Sequence, residues 1–338
     1  MDRSRRVALL NNVVLAPPRV IREMIGGAPL SSRWYAPTWS VSGGVLSNTP
    51  TLGAELLLDP GFENWLSATN LTNYSEYLGG GTTTINRESA VIRSGVYAAR
   101  CDVDASNNKA SIYQASGGSV GDYALFTVYA KESLASKTMA FEYGGTASPG
   151  ITVPTADFSV IVATLRATVN TNAAFVSGSA ASSSIYFDDA SVKTITRSTL
   201  FASVGKLLAN VNLVAPPIST LQTATQAGII LRLDSPTNPQ SFVIAYCDGA
   251  GNVKIEKCVS GTYTTLSTVS AAYGATKYFS AKMNGSSISI YYGTTDFGTL
   301  IATVTVSDAT VVNNTRHGLF STYSGNQFAG TFSVVPYA

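Results

Sequence analysis

The sequence predicts an all-β protein, two tandem antiparallel β-sandwiches behind an irregular N-terminal arm, and three observations lead there. Short apolar segments alternating at period two recur from residue 51 to the end, separated by clusters of Gly, Asn, Asp and Ser, with no amphipathic helical stretch among them. With 338 residues, 45% of them hydrophobic, the chain is long enough for two domains that each bury a core. Only 12% of residues are charged, about half the usual share. The solvent-facing sides of the strands therefore fall to Ser, Thr, Asn and Gly.

Residues 1–50 form the arm. Breakers recur along it: Pro17, Pro18, Gly26, Gly27, Pro29, Pro37, Gly43, Gly44 and Pro50. One short helix is expected over Arg19–Ile25, with Pro18 in its first turn and Gly26 just past its end. Trp34, Tyr35 and Trp39 sit close together, and aromatics of this size in an irregular segment have to be buried. They bury either against the chain's own sandwich or against a partner subunit. Residues 1–34 carry six arginines (Arg3, Arg5, Arg6, Arg19, Arg22 and Arg33) against Asp2 and Glu23, a net +4 in a chain whose total is +2. Such a basic arm meets either the carboxylates of a neighbouring subunit or phosphate. Arg19, Arg22, Trp34, Tyr35 and Trp39 are the candidate assembly residues.

Residues 51–197 read as the first sandwich, with strands expected at Ala98–Val103, Ala110–Ala115, Tyr123–Ala130, Thr138–Tyr143, Phe158–Ala167 and Ser184–Phe187. Residues 198–338 read as the second, with strands at Gly228–Leu233, Phe242–Cys247, Val253–Val259, Tyr278–Met283, Ser287–Tyr292 and Phe332–Val335. Turns that tolerate positive φ fall at 248–252 and at Asn284-Gly285. The join near 196–199 has no flexible tract, so the two sandwiches are expected to touch.

Three cysteines are an odd number for a disulfide framework. In a 242–259 hairpin, Cys247 faces Val253 or Asn252 while Cys258 faces a residue near Phe242, too far apart to bridge. Free, mostly buried thiols are expected. The N-terminus does not read as a secretory signal, because its apolar run is broken by Asn11-Asn12 and stopped by Pro17-Pro18. No apolar stretch has the roughly 18–20 residues that cross a bilayer.

The signatures of catalysis are missing. His317 is the single histidine, and beside Arg316 and Gly318 it reads as a turn or strand-end residue. Gly79-Gly80-Gly81 precedes neither Lys-Ser/Thr nor a helix, so it is a loop tip and not a phosphate cradle. Acid pairs such as Glu132 with Glu142 have no supporting context.

Several segments carry family resemblances. Leu58-Asp59-Pro60-Gly61-Phe62-Glu63-Asn64-Trp65, Val91 to Arg100, Ser111-Ile112-Tyr113-Gln114 and Ile185 to Val192 together resemble carbohydrate-binding modules with a galactose-binding-like jelly roll, over roughly residues 55–195. That resemblance implies a structural calcium held by Glu63, Asp188 and Asp189. It also implies sugar stacking on aromatics, drawn from Trp65, Tyr74, Tyr77, Tyr113 and Tyr143, with Gln114 supplying hydrogen bonds. Ala227 to Leu233, Lys282 to Ser286 and Asn314 to Phe320 resemble a concanavalin-like (laminin-G-like) sandwich, without the Glu-x-Asp-x-x-Glu pattern of hydrolases on that fold.

Taken together, arm, jelly roll and concanavalin-like sandwich resemble a bacteriophage virion protein of the tail, baseplate or capsid surface. The resemblance implies a non-enzymatic structural role in a virion assembled in the host cytoplasm. The arm would dock to other virion proteins, and the sandwiches would decorate the particle or attach to host-surface glycan, as a homo-oligomer with no specific nucleic acid and no membrane. The alternatives are a bacterial carbohydrate-binding or adhesion protein and, third, a glycan-degrading enzyme with an unrecognised site.

Overall fold

The computed structural model describes residues 21–26, 28–104, 108–133, 137–177, 183–205, 207–220 and 224–337. Every strand pairing in them is antiparallel, and the chain builds two face-to-face sandwiches, as the period-two alternation requires.

In the first sandwich one sheet runs Ser159–Arg166, Tyr123–Glu132, Ser183–Ile195, Ala98–Val103, Thr84–Glu88, with Leu52–Glu55 also paired to Ser183–Ile195. The facing sheet runs Thr146–Ala147, Thr138–Tyr143, Asn172–Ser177, Ala110–Ala115, Ser75–Leu78, with Ile151–Thr152 also paired to Thr138–Tyr143. From Ala98 onward the long strands alternate between the two sheets, the winding of a jelly roll. Tyr123–Glu132 shows the chemistry behind this. Ala124, Phe126, Val128 and Ala130 point into the core, where Phe126 meets Phe141 and Tyr143 with ring centroids 5.5 Å apart.

The second sandwich faces a sheet ordered Ile21–Ile25, Gly330–Pro336, Val211–Val214, Tyr278–Asn284, Ser287–Gly293, Leu300–Thr305 against one ordered Trp34–Tyr35, Phe201–Val204, Arg316–Ser321, Ala227–Leu233, Phe242–Cys247, Asn252–Val259, Thr262–Ser270. A small sheet of Ile218–Thr220, Asn326–Phe328, Val45–Asn48 and Trp39–Ser42 closes one end.

Residues 21–50 therefore correct the reading of an irregular arm. Ile21–Ile25 is an edge strand paired with Gly330–Pro336, not a helix. Its buried residues, Ile21 and Ile25, are four apart, a spacing a helix shares, and pairing with the C-terminal strand decides between the two. Trp34 buries in the chain's own core, its ring 4.8 Å from Phe332, and its Nε1 donates to Glu23 Oε2 at 2.9 Å. Trp39 lies 5.5 Å from Phe328. Tyr35 pairs with Ser203, and exposed Arg22 pairs with Ser333. Buried Asn48 donates from Nδ2 to the carbonyls of Thr199 and Ser321, both at 2.8 Å, which ties the Trp39–Asn48 hairpin down. Arg19 lies outside the described residues.

The sandwiches share an interface. Ala227–Leu233 and Phe242–Cys247 are buried along their whole length. Ile229, Leu231, Val243 and Ala245 face the second core, while Ile230, Leu233, Phe242, Ile244 and Tyr246 pack with Tyr123 and Ile195 of the first sandwich. Arg166 crosses this seam. Its Nη2 donates to Glu256 Oε1 at 2.6 Å, and its guanidinium carbon lies 3.9 Å from the Tyr263 ring centroid. Glu256 also accepts from Tyr246 and Thr265 hydroxyls at 2.9 and 3.0 Å.

The hairpin register puts Cys247 opposite Val253 and Cys258 opposite Phe242. All three cysteines are free and buried. His317 is the second residue of strand Arg316–Ser321 and is fully buried. Its Nδ1 accepts the backbone N–H of Arg232 at 3.1 Å, so Nε2 carries the proton and donates to the Leu208 carbonyl at 3.0 Å. Desolvation lowers its pKa from 6.5 to about 4, with the Arg232 charge adding to the effect. No helix among the described residues is long and apolar enough to cross a membrane.

Two outcomes are expected. Removing one partner of the buried seam pair, by Arg166→Ala or Glu256→Ala, costs about 3–5 kcal/mol in urea unfolding, because the other charge is left buried without a partner. The unfolded chain protonates His317 near pH 6.5 and the folded chain only near 4, so its contribution is complete above 6.5 and is lost as pH falls toward 4. Unfolding free energy measured at pH 7 and pH 4 should differ by roughly 3 kcal/mol more in wild type than in His317→Gln. An equal pH dependence in both proteins rejects this account.

Candidate functional site

The second sheet of the jelly roll has one face in the core and one face outward, and register assigns each side chain to a face. Ile112, Phe175, Met139, Phe141 and Tyr143 are buried inward. The residues between them point out. One outward row runs Tyr77, Ser111, Val176, Ala140 across four strands. The next runs Ser75, Tyr113, Ala174, Glu142, Ala147 across five.

The middle of both rows is small: Ser111, Ala174, Val176 and Ala140. Tyr77, 56% exposed, and half-buried Tyr113 rise on one side, and exposed Glu142 on the other. Tyr113 and Glu142 are two strand spacings apart, about 9–10 Å. Tyr77 is the diagonal neighbour of Tyr113, about 7–8 Å away. The result is a shallow trough whose floor residues Ser111, Ala174 and Val176 are buried, with two aromatic rings on one flank and a carboxylate on the other. Its chemistry suits a flat, hydroxyl-bearing ligand, with C–H faces on the rings and hydroxyls on Glu142, Ser75 and Ser111. Glu142 is the single acid on the two rows.

Of the residues expected to bind sugar, Tyr77 and Tyr113 are brought together here, and the others are not. Gln114 points inward, where its Oε1 accepts from the Leu58 N–H at 3.2 Å and its Nε2 donates to the Leu56 carbonyl at 3.1 Å. Tyr74 is buried, with its hydroxyl donating to the Asp59 carbonyl at 2.7 Å and its ring 5.4 Å from Phe62. Burial, with the nearby Asp59 and Glu55 charges adding to it, raises its phenol pKa well above the ordinary value. Trp65 packs on the core and donates from Nε1 to the Phe62 carbonyl at 2.6 Å. Tyr143 lies in the core.

Glu142 was not among the expected sugar-binding residues. The signal was in the alternation Met139, Phe141, Tyr143, which sends Glu142 outward. What could not be read was the register that sets it beyond Ala174 from Tyr113. Glu132, its suggested acid partner, is buried on the opposite sheet.

The carboxylates expected to hold calcium are spent on N–H donors. Glu63 accepts the backbone N–H groups of Val96 and Tyr97 at 2.9 and 3.1 Å. Asp188 accepts those of Arg93, Ser94 and Asp189 at 2.7, 3.2 and 2.8 Å. Asp189 pairs with the Arg93 guanidinium, which stacks 3.5 Å over the Tyr129 ring centroid. These acids fasten the 93–97 loop to both ends of the sandwich. An arginine stands where a cation would bind Asp189, so the set does not fit Ca²⁺. Among the described residues no three His, Cys, Asp or Glu side chains are grouped to hold a metal.

No protein-family model matches the chain, and the search of curated proteins finds no match. Solved structures do resemble it. A family 61 carbohydrate-binding module in complex with β-1,4-galactotriose shares 16% identity at a TM-score of 0.31, over 41% of this chain and 98% of its own. The CBM22-1 xylan-binding domain of Paenibacillus barcinonensis Xyn10C shares 9% at 0.33, over 44% and 97%. The CBM22-1–CBM22-2 tandem of the same protein shares 7% at 0.34, over 85% and 98%. Likenesses this distant carry no functional argument. The all-β sandwich assignment rests on the sheets themselves.

Asp188→Ala leaves three backbone donors without their acceptor and should lower unfolding free energy by roughly 2–4 kcal/mol. Chelation with EGTA should leave the melting temperature unchanged, and a fall on chelation would show that these acids hold calcium after all.

Proposed function

We propose that the protein is a non-catalytic glycan-binding protein that takes a neutral oligosaccharide chain along the outward trough of its jelly roll. The observation that carries this reading is the trough itself: a floor of Ser111, Ala174, Val176 and Ala140, with Tyr77 and Tyr113 on one flank and Glu142 on the other. Exposed Tyr77 and half-buried Tyr113 beside a low floor offer stacking area with little entropy lost on binding. A lone carboxylate accepts sugar hydroxyls without the second acid that hydrolysis needs. Of the residues expected to dock an arm to a virion, Trp34 and Trp39 are instead buried within their own sandwich.

The test is isothermal titration of the whole chain with β-1,4-galactotriose, xylo-oligosaccharides and cello-oligosaccharides. Tyr113→Ala and Glu142→Gln should each weaken binding of the best ligand by about tenfold or more, a loss of about 1.4 kcal/mol, while melting stays near wild type. Gln114→Ala should do the reverse, lowering stability and sparing affinity. Binding that survives loss of Tyr113 in a folded variant, or no binding across the panel, sinks the proposal.

A further inference from the structure

Arg197 opens the short 3-10 turn Arg197–Leu200 that follows the last strand of the first sandwich, directly at the seam. It lines a cleft of about 540 Å³ with Asp122 and Ser198 on one side and Asn238, Ser260 and Thr262 of the second sandwich on the other. That volume lies within the range of small-ligand sites, which favour domain junctions.

The guanidinium has no carboxylate partner among the described residues. Asp122, the one acid on the wall, already accepts the Ser119 N–H at 3.0 Å. The Tyr263 ring lies behind the guanidinium, its centroid 5.5 Å from the guanidinium carbon. Two glycines border the N–H edge in left-handed conformation, Gly121 at φ +94° and Gly261 at φ +85°. A Cβ on Gly261 would sit 3.4 Å from Nη1, and one on Gly121 3.8 Å from Nη2.

An unpaired planar fork of N–H donors matches a two-oxygen anion. The hydroxyls and amide around it match a polyol. We infer that this cleft is a second binding site, separate from the trough, and that it takes a hexuronate residue, a pyranose bearing a carboxylate. The carboxylate sits on Arg197, and the ring hydroxyls meet Ser198, Asn238, Ser260 and Thr262. Because both sandwiches build the walls, the site depends on the Arg166–Glu256 seam being closed. It does not depend on the trough reading.

The experiment is titration of the full chain with sodium glucuronate, glucose, sodium acetate and sodium sulfate, each at matched ionic strength. Glucuronate should bind at one site, about tenfold or more tighter than glucose or either simple anion, and Arg197→Gln should weaken it by about tenfold or more. Tyr113→Ala should leave glucuronate affinity unchanged, which separates this site from the trough. If Arg197→Gln fails to fold, Thr262→Trp, which fills the cleft from an exposed strand end, must abolish binding. Glucuronate binding no better than acetate or sulfate overturns the inference, as does undetectable glucuronate binding or affinity unaffected by the cleft variants.

Discussion

The whole arrangement depends on two strands that cannot tolerate water on either face. Ala227–Leu233 and Phe242–Cys247 present apolar side chains on alternate sides, so one set fills the second core and the other must find a cover. Tyr123 and Ile195 of the first sandwich provide it, and the seam is sealed by rings of Tyr123, Tyr246, Tyr263, Phe242 and Phe320. Among the described residues this apolar layer holds the ion pair of Arg166 with Glu256, whose further contacts come from Tyr246, Thr265 and the Tyr263 face. A buried pair adds little net stability but has a strong geometric demand. It links the two sandwiches across the seam through one hydrogen-bonded contact, Arg166 Nη2 to Glu256 Oε1.

The jelly roll supplies a rigid platform in the same manner. Aromatic packing from Phe126 through Phe141 and Phe175 to Phe187 fills the space between its sheets. The outward rows then carry the small residues and the tyrosines of the proposed trough. Polar side chains near the edges are used as fasteners: Gln114 holds the Leu56–Leu58 segment, and Glu63, Asp188 and Asp189 hold the 93–97 loop. With 12% charged residues in the chain, carboxylates are scarce. Many of them serve as acceptors for backbone N–H groups, whereas exposed Glu142 lies on the outward face of the second sheet.

The strands were legible because period two and turn chemistry are local. Ala98–Val103, Ala110–Ala115, Thr138–Tyr143 and Phe242–Cys247 coincide with the expected segments, and the 248–252 turn sets the cysteines in the expected register. The edge strand Ile21–Ile25 was not legible. Its buried residues are spaced for a helix as well as for a strand, and its partner, Gly330–Pro336, lies at the other end of the chain.

The sequence by itself determined the all-β fold class and the free thiols, since these follow from composition, alternation and counting. Only the tertiary structure decided that Trp34 and Trp39 belong to the second sandwich, that Tyr77, Tyr113 and Glu142 share one face, and that Arg197 opens into a cleft between sandwiches. Each of those facts depends on the register of strands far apart in the chain. Side-chain alternation tells which residues share a face of one strand, but it carries no information on which strand lies beside it.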